Sequence, residues 1–163
     1  GKLSGHTQRK PIMSASHIAT SNTGLWFQWL RVTLIALGVL GAAMVFAPGV
    51  TKIGFSWMIY FDPAYVDTTY SAAAVDYMTL IYGVLGAIMV GWSVLLLAVL
   101  HGPFARGDYF GWLAIAASLG IWFLLDTTFS AVTGYWQNVV LNTVFGVAMA
   151  IPLVATFNRF RSS

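Results

Sequence analysis

Four long apolar runs constrain this chain more than anything else in it. They cover about residues 25–46, 75–100, 109–129 and 135–157, and each is near the ~20 residues that a helix needs to cross a bilayer. The runs are apolar all round, whereas the surface helix of a soluble protein keeps one polar face. Only 8% of residues are charged and 58% are hydrophobic, against roughly a quarter charged in a soluble domain. The expected fold is therefore all-α: a polytopic membrane protein built as a four-transmembrane-helix bundle. In 163 residues there is no room for a soluble domain beside it. Residues 1–24 read as a polar tail, 25–157 as the membrane domain and 158–163 as a basic end.

The tail has little periodicity and reads as flexible or partner-bound. It does not read as a signal peptide, because the following run is long and lacks a clear small-residue cleavage site. Gly5 stands where an N-myristoylation pattern needs Ser or Thr. Met13 is a candidate initiator. Trp26, Phe27 and Trp29 form an aromatic belt at the start of the first span, where Arg31 can snorkel, and Pro48-Gly49 ends it. The connection 47–74 is expected to be a long outer loop rich in aromatics, with a turn at Asp62-Pro63. It either lies across one end of the bundle as an interfacial or re-entrant cap or simply anchors at the headgroups. Gly38 and Gly41 in the first span, and Gly83, Gly86 and Gly91 in the second, would let two helix backbones approach closely. Pro152 predicts a kink in the fourth span.

Charge sets an orientation. Lys2, Arg9, Lys10, Arg31, Arg106, Arg159 and Arg161 fall on one side of the expected topology, and Lys52 alone on the other. By the positive-inside rule both termini are cytoplasmic. The acids lean the opposite way: Asp62, Asp67, Asp76 and Asp126 lie on or near the outer side, Asp108 inside, and there is no glutamate.

The chain has no cysteine, which excludes disulfides, thiolate metal sites, iron–sulfur clusters and thiol nucleophiles together. No metalloprotease helix, phosphate loop or nucleophile elbow is present. His101 is the one histidine outside the tail, so a bis-histidine haem is not expected, and Asp62, Asp67 and Asp76 read as solvated loop acids. A formal charge of +3 does not suggest nucleic acid.

The stretch from Asp126 to Asn142 stands apart. Asp126 and Ser130 are one helical turn apart, as are Asn138 and Asn142, and the short turn between the third and fourth spans makes those helices antiparallel neighbours. Asp126, Ser130, Asn138 and Asn142 are thus expected to face one another near the outer leaflet, with Trp122 and Trp136 as walls. The cluster could be a structural clamp between helices, a ligand site, or a place where a proton or ion is handled.

The layout of residues 25–157 resembles small bacterial membrane proteins of the DoxX-like type. The features that carry this are four spans, a long aromatic first connection leading to the acid-bearing second helix, glycine-rich first and second spans, and the hairpin Asp126-Thr127-Thr128-Phe129-Ser130 followed by Gly134 and Asn138. The resemblance implies a four-helix bundle in a bacterial inner membrane, and oxidoreductase or quinone-linked roles. The residues themselves point first to a small accessory subunit or scaffold that binds partner proteins or a lipophilic molecule such as a lipid or quinone. Other membrane subunits or further copies of this chain are the expected partners. The alternatives are a membrane enzyme acting on a quinone or lipid with Asp126 as proton acceptor, and a small transporter or channel.

Overall fold

The computed structural model of the chain describes residues 15–161, with side chains from residue 24. The first fourteen residues of the tail, with His6 and Met13, lie outside the described residues, as does the side chain of His17. Six α-helices follow one another: α1 Ala15–Phe46, α2 Pro48–Tyr60, α3 Tyr65–Thr69, α4 Ala72–Val99, α5 Tyr109–Val132 and α6 Trp136–Arg161. There is no strand among the described residues. Gly24–Phe46, Ala72–Phe104, Tyr109–Val132 and Trp136–Arg161 are long and apolar enough to span a membrane, so the chain is a four-span helical membrane protein. α1 takes in residues 15–24, assigned above to the tail. At 32 residues it is about 48 Å long, more than the ~30 Å of hydrocarbon, so its first turns extend beyond the span.

The expected long loop between the first two spans is not there. All but a few residues of 47–74 are helical, in α2, α3 and the start of α4. Pro48 both ends α1 and starts α2: it has no N–H to continue the first helix, while its fixed φ suits the first position of the next. The α2–α3 corner is held by one hydroxyl. Ser56 Oγ donates to the Asp62 carbonyl at 2.6 Å and accepts from the Val66 N–H at 3.4 Å. Asp62 Oδ1 caps the corner by accepting from Ala64 N–H at 2.9 Å. Ser71 then caps α4 by accepting from Ala74 N–H.

α1 lies along α4 for most of its length, α5 pairs with α6, and α1 also packs on α6. The α1–α4 crossing is backbone on backbone. A Cβ on Gly41 would fall 2.7 Å from the Gly86 carbonyl oxygen, and one on Gly86 would fall 2.4 Å from that of Gly41. Nearby, Ser93 Oγ donates across the same interface to the Leu34 carbonyl at 2.7 Å. α4 and α5, by contrast, meet chiefly through their connection. There Leu100–Phe104 forms a π turn around Pro103, with Gly102 at φ −94° and ψ −107°. Gly111 presses against this turn so closely that a Cβ would lie 2.5 Å from Phe104 N.

The core follows this pattern. Leu30, Leu34, Leu96, Leu100, Phe104, Ile115, Leu119, Met149, Leu153 and Phe160 form one buried cluster, and all lie in the half of the bundle next to the 100–108 turn. The same end carries Arg31, Arg106, Arg159 and Arg161, so it is here called the basic end. Lys52, Asp62, Asp67 and Asp76 mark the other, acidic end.

Pro152 sits buried in α6, yet the helix runs unbroken from Trp136 to Arg161. Proline has no N–H to give to the carbonyl four residues back, Ala148. That carbonyl instead receives the Trp29 indole N–H from α1 at 2.9 Å. One turn on, Thr156 Oγ1 donates to the Pro152 carbonyl at 2.7 Å and Trp112 Nε1 to that of Leu153 at 2.8 Å. A proline-freed carbonyl thus becomes an interhelical bond, the usual way membrane helices tolerate proline. Trp29→Phe should lower stability by about 1 kcal/mol, and by less in a Pro152→Ala background, where Ala148 regains a donor within α6. Thermal unfolding of the double-mutant cycle in detergent measures the coupling, and strictly additive losses would contradict the assignment.

Candidate functional site

The second half of the bundle is organised around the gap between α4 and α5. The two helices start together at the π turn and part toward the acidic end. α2 packs on α1, α4 and α6 at that end, and Gln137 Nε2 at the start of α6 donates to the Ile59 carbonyl in the last turn of α2 at 2.8 Å. Between them lies a cavity of about 520 Å³, within the usual range for small-ligand sites. It opens sideways: Tyr77, Ile81 and Phe129 line it and are also exposed on the outer surface of the bundle.

Its polar floor is Asp126, Ser130 and Asn138. α5 carries Asp126 and Ser130 on one face because they are four residues apart, and the turn closed by Gly134 at φ +85° returns α6 alongside. Asn138 Nδ2 donates to Asp126 Oδ1 at 3.0 Å and to Ser130 Oγ at 2.8 Å. Ser130 Oγ donates to the same Asp126 oxygen at 3.3 Å. Asp126 lies six residues inside the end of α5, about 9 Å along the helix. Among the described residues the one Lys or Arg at this end, Lys52, is engaged elsewhere, in an ion pair with Asp67. Among the described residues no Lys or Arg pairs with Asp126.

The four expected polar residues divide. Asp126, Ser130 and Asn138 converge, while Asn142 does not join them: it is only 3% exposed, and its Nδ2 has no hydrogen-bond partner. The Oγ1 of Thr127 is buried without a partner as well. The two expected walls lie elsewhere. Trp122 packs against Trp92 and edge-on to Phe145, one turn nearer the core, and lines a separate groove between α5 and α6. Trp136 is 59% exposed on the outer surface. A tryptophan beside a polar cluster in sequence is not beside it in space when it points to the other side of its helix.

The walls are tyrosines instead. Tyr60, Tyr70, Tyr77, Tyr82 and Tyr135 all line the cavity. Tyr82 stacks on Phe55 with ring centroids 5.5 Å apart, and Tyr60 stacks on Tyr65 at 3.9 Å. The Tyr60 phenol is held well above its ordinary pKa, first by its hydrogen bond to Tyr70, then by burial and by Tyr135. Phenols of α2 and α3, of Tyr70 just after α3 and of Tyr135 just before α6 therefore meet at the mouth. No group of His, Cys, Asp and Glu among the described residues is placed to hold a metal ion.

No protein-family model, curated protein or solved structure matches this chain.

The hydrogen-bond pattern makes opposite demands on neighbouring positions. Asn138→Leu strips Asp126 and Ser130 of their shared donor and should lower stability by about 1–3 kcal/mol. Thr127→Val removes a hydroxyl that bonds to nothing and should leave stability unchanged or raise it. Unfolding of both variants in one detergent checks the contrast, and equal losses would contradict it.

Proposed function

We propose that this chain is a small integral membrane accessory protein that binds a lipophilic molecule in the cavity between α4 and α5. The observation that carries this reading is the cavity's position and make-up together. It opens toward the hydrocarbon through Tyr77, Ile81 and Phe129, and it ends on the Asp126–Ser130–Asn138 floor. An amphiphile would leave the bilayer sideways, its apolar part against Met78, Ile81 and Phe129 and its polar end on the floor. A passage for solutes has less support. The apolar core of the basic half interrupts the polar groups of the acidic half among the described residues.

Filling the cavity tests the reading. Protein purified in a mild detergent should carry a bound amphiphile that native mass spectrometry detects. Met78→Trp, which puts a larger side chain into the cavity, should fold and lose most of it. Retention of the same molecule by a folded Met78→Trp protein would overturn the reading.

The charge pattern supports a basic end facing the cytoplasm. The cavity then opens in the outer leaflet. A reporter fused after Ser163 and active only in the cytoplasm is the expected result, and one active only outside would invert the orientation.

A further inference from the structure

We infer that the cavity selects amphiphiles with a cationic headgroup, an amine or a quaternary ammonium. This rests on the reading of the cavity as a binding site and names the chemistry of its ligand.

The first argument is donor and acceptor accounting at the floor. The Asn138 amide has two N–H bonds to give, and its Nδ2 is within bonding distance of Asp126 Oδ1 and of Ser130 Oγ. The Ser130 hydroxyl proton is directed to Asp126 Oδ1. The donors of all three side chains are therefore spent on one another. What the trio still presents are acceptors: the second oxygen of Asp126 and the carbonyl oxygen of Asn138. A quinone carbonyl, a phosphate or a carboxylate would find no donor on this floor, only phenol hydroxyls on the walls. A headgroup that gives hydrogen bonds, or carries positive charge, would.

The second argument is charge. A carboxylate within a membrane helix is costly unless it has a partner. Lys52 is taken by Asp67, and no Lys or Arg among the described residues lines the cavity. The missing counter-charge is one that a ligand can supply.

The third argument is the walls. Five phenol rings, with Phe55 and Phe129, surround a space that holds a single acid. Aromatic faces attract a cation through their quadrupole, most strongly where water is scarce, and a ring cage with a carboxylate is the recurring way of holding a quaternary ammonium. The rings are kept in place: Tyr82 stacks on Phe55, and Tyr60 is tied to Tyr65 and Tyr70. The acceptor floor with its uncompensated acid and the aromatic walls thus point to one sign of charge.

The experiment compares three probes of one chain length, dodecyltrimethylammonium, dodecyl sulfate and dodecanol. Each is titrated into the purified protein in maltoside micelles and read by native mass spectrometry. The cationic probe should bind about tenfold more tightly than the other two. Asp126→Asn should remove that preference while dodecanol binding persists. Tyr82→Leu should weaken the preference and Tyr82→Phe should keep it, which carries the test should the Asp126 variant not fold. Equal binding of all three probes, or preference for the sulfate, would overturn the cationic assignment and leave amphiphile binding standing. A cationic preference untouched by both Asp126→Asn and Tyr82→Leu would overturn it too. No binding of any probe would overturn both this inference and the function on which it rests.

Discussion

Hydrocarbon gives a polar group nothing to bond to, and the architecture of this protein follows from that deficit. Three threonines within the spans turn inward on their own helices: Thr33, Thr79 and Thr143 each donate to the carbonyl four residues back. Ser93 uses the α1–α4 contact to reach a carbonyl on the neighbouring helix. Pro152 leaves a carbonyl bare, and a tryptophan from α1 covers it. Each such bond contributes about 1 kcal/mol net, because an unfolded helix in the membrane also finds partners. Their larger effect is on register. An indole that must meet Ala148 fixes how far α1 slides along α6, just as the Gly41–Gly86 contact fixes where α1 crosses α4.

These constraints are unevenly spread, and the shape of the molecule records it. At the basic end the π turn ties α4 to α5 over a few residues, and Gly111 lets α5 start flush against it. The large apolar side chains gather there. At the acidic end nothing comparable draws α4 to α5. The space is bounded by α2, by the tyrosines and by a hydrogen-bonded trio. One bundle thus holds a packed half that sets the geometry and an open half that uses it. An opening placed in the packed half would expose large apolar side chains that now pack on one another, whereas the acidic half already contains groups that want a polar partner.

The spans were legible because four apolar runs of membrane length have few other uses. The convergence of Asp126, Ser130 and Asn138 was legible too, since helical spacing and a short turn fix both helices' relative positions. The helices α2 and α3 were not. A soluble amphipathic helix shows an apolar face toward its core, but α2 buries Thr51 and Ser56 and exposes Val50, Ile53 and Trp57. Next to a bilayer the apolar side faces out, so the familiar pattern is reversed, and the Asp62-Pro63 signal marks only the turn that follows α2. The cavity walls were hidden for another reason. Six of the seven tyrosines lie at the acidic end, which was the available signal. Which of them face one another depends on how far α4 leans from α5, and no local pattern carries that angle. Trp122 and Trp136 adjoin the polar cluster in sequence, which says little about direction around a helix.

The same trio can be read as a clamp, and the identity of residue 126 separates that role from binding. A clamp between α5 and α6 needs bonds, not charge. Asparagine at 126 would offer Asn138 and Ser130 an acceptor of similar shape without placing an ionisable group about 9 Å inside the end of a span. A charge within a span is held at a net cost unless a counter-charge compensates it, and no described Lys or Arg does so for the half-buried Asp126. Thr127 and Asn142, each with a buried polar atom that has no partner, add to the same imbalance on either side of the helix pair. The Lys52–Asp67 pair shows the contrast, with each charge placed beside its opposite at the same end of the bundle. An acid left without such a partner, at the floor of a cavity walled by phenols, is a liability to an empty bundle and an asset to one that receives a cation.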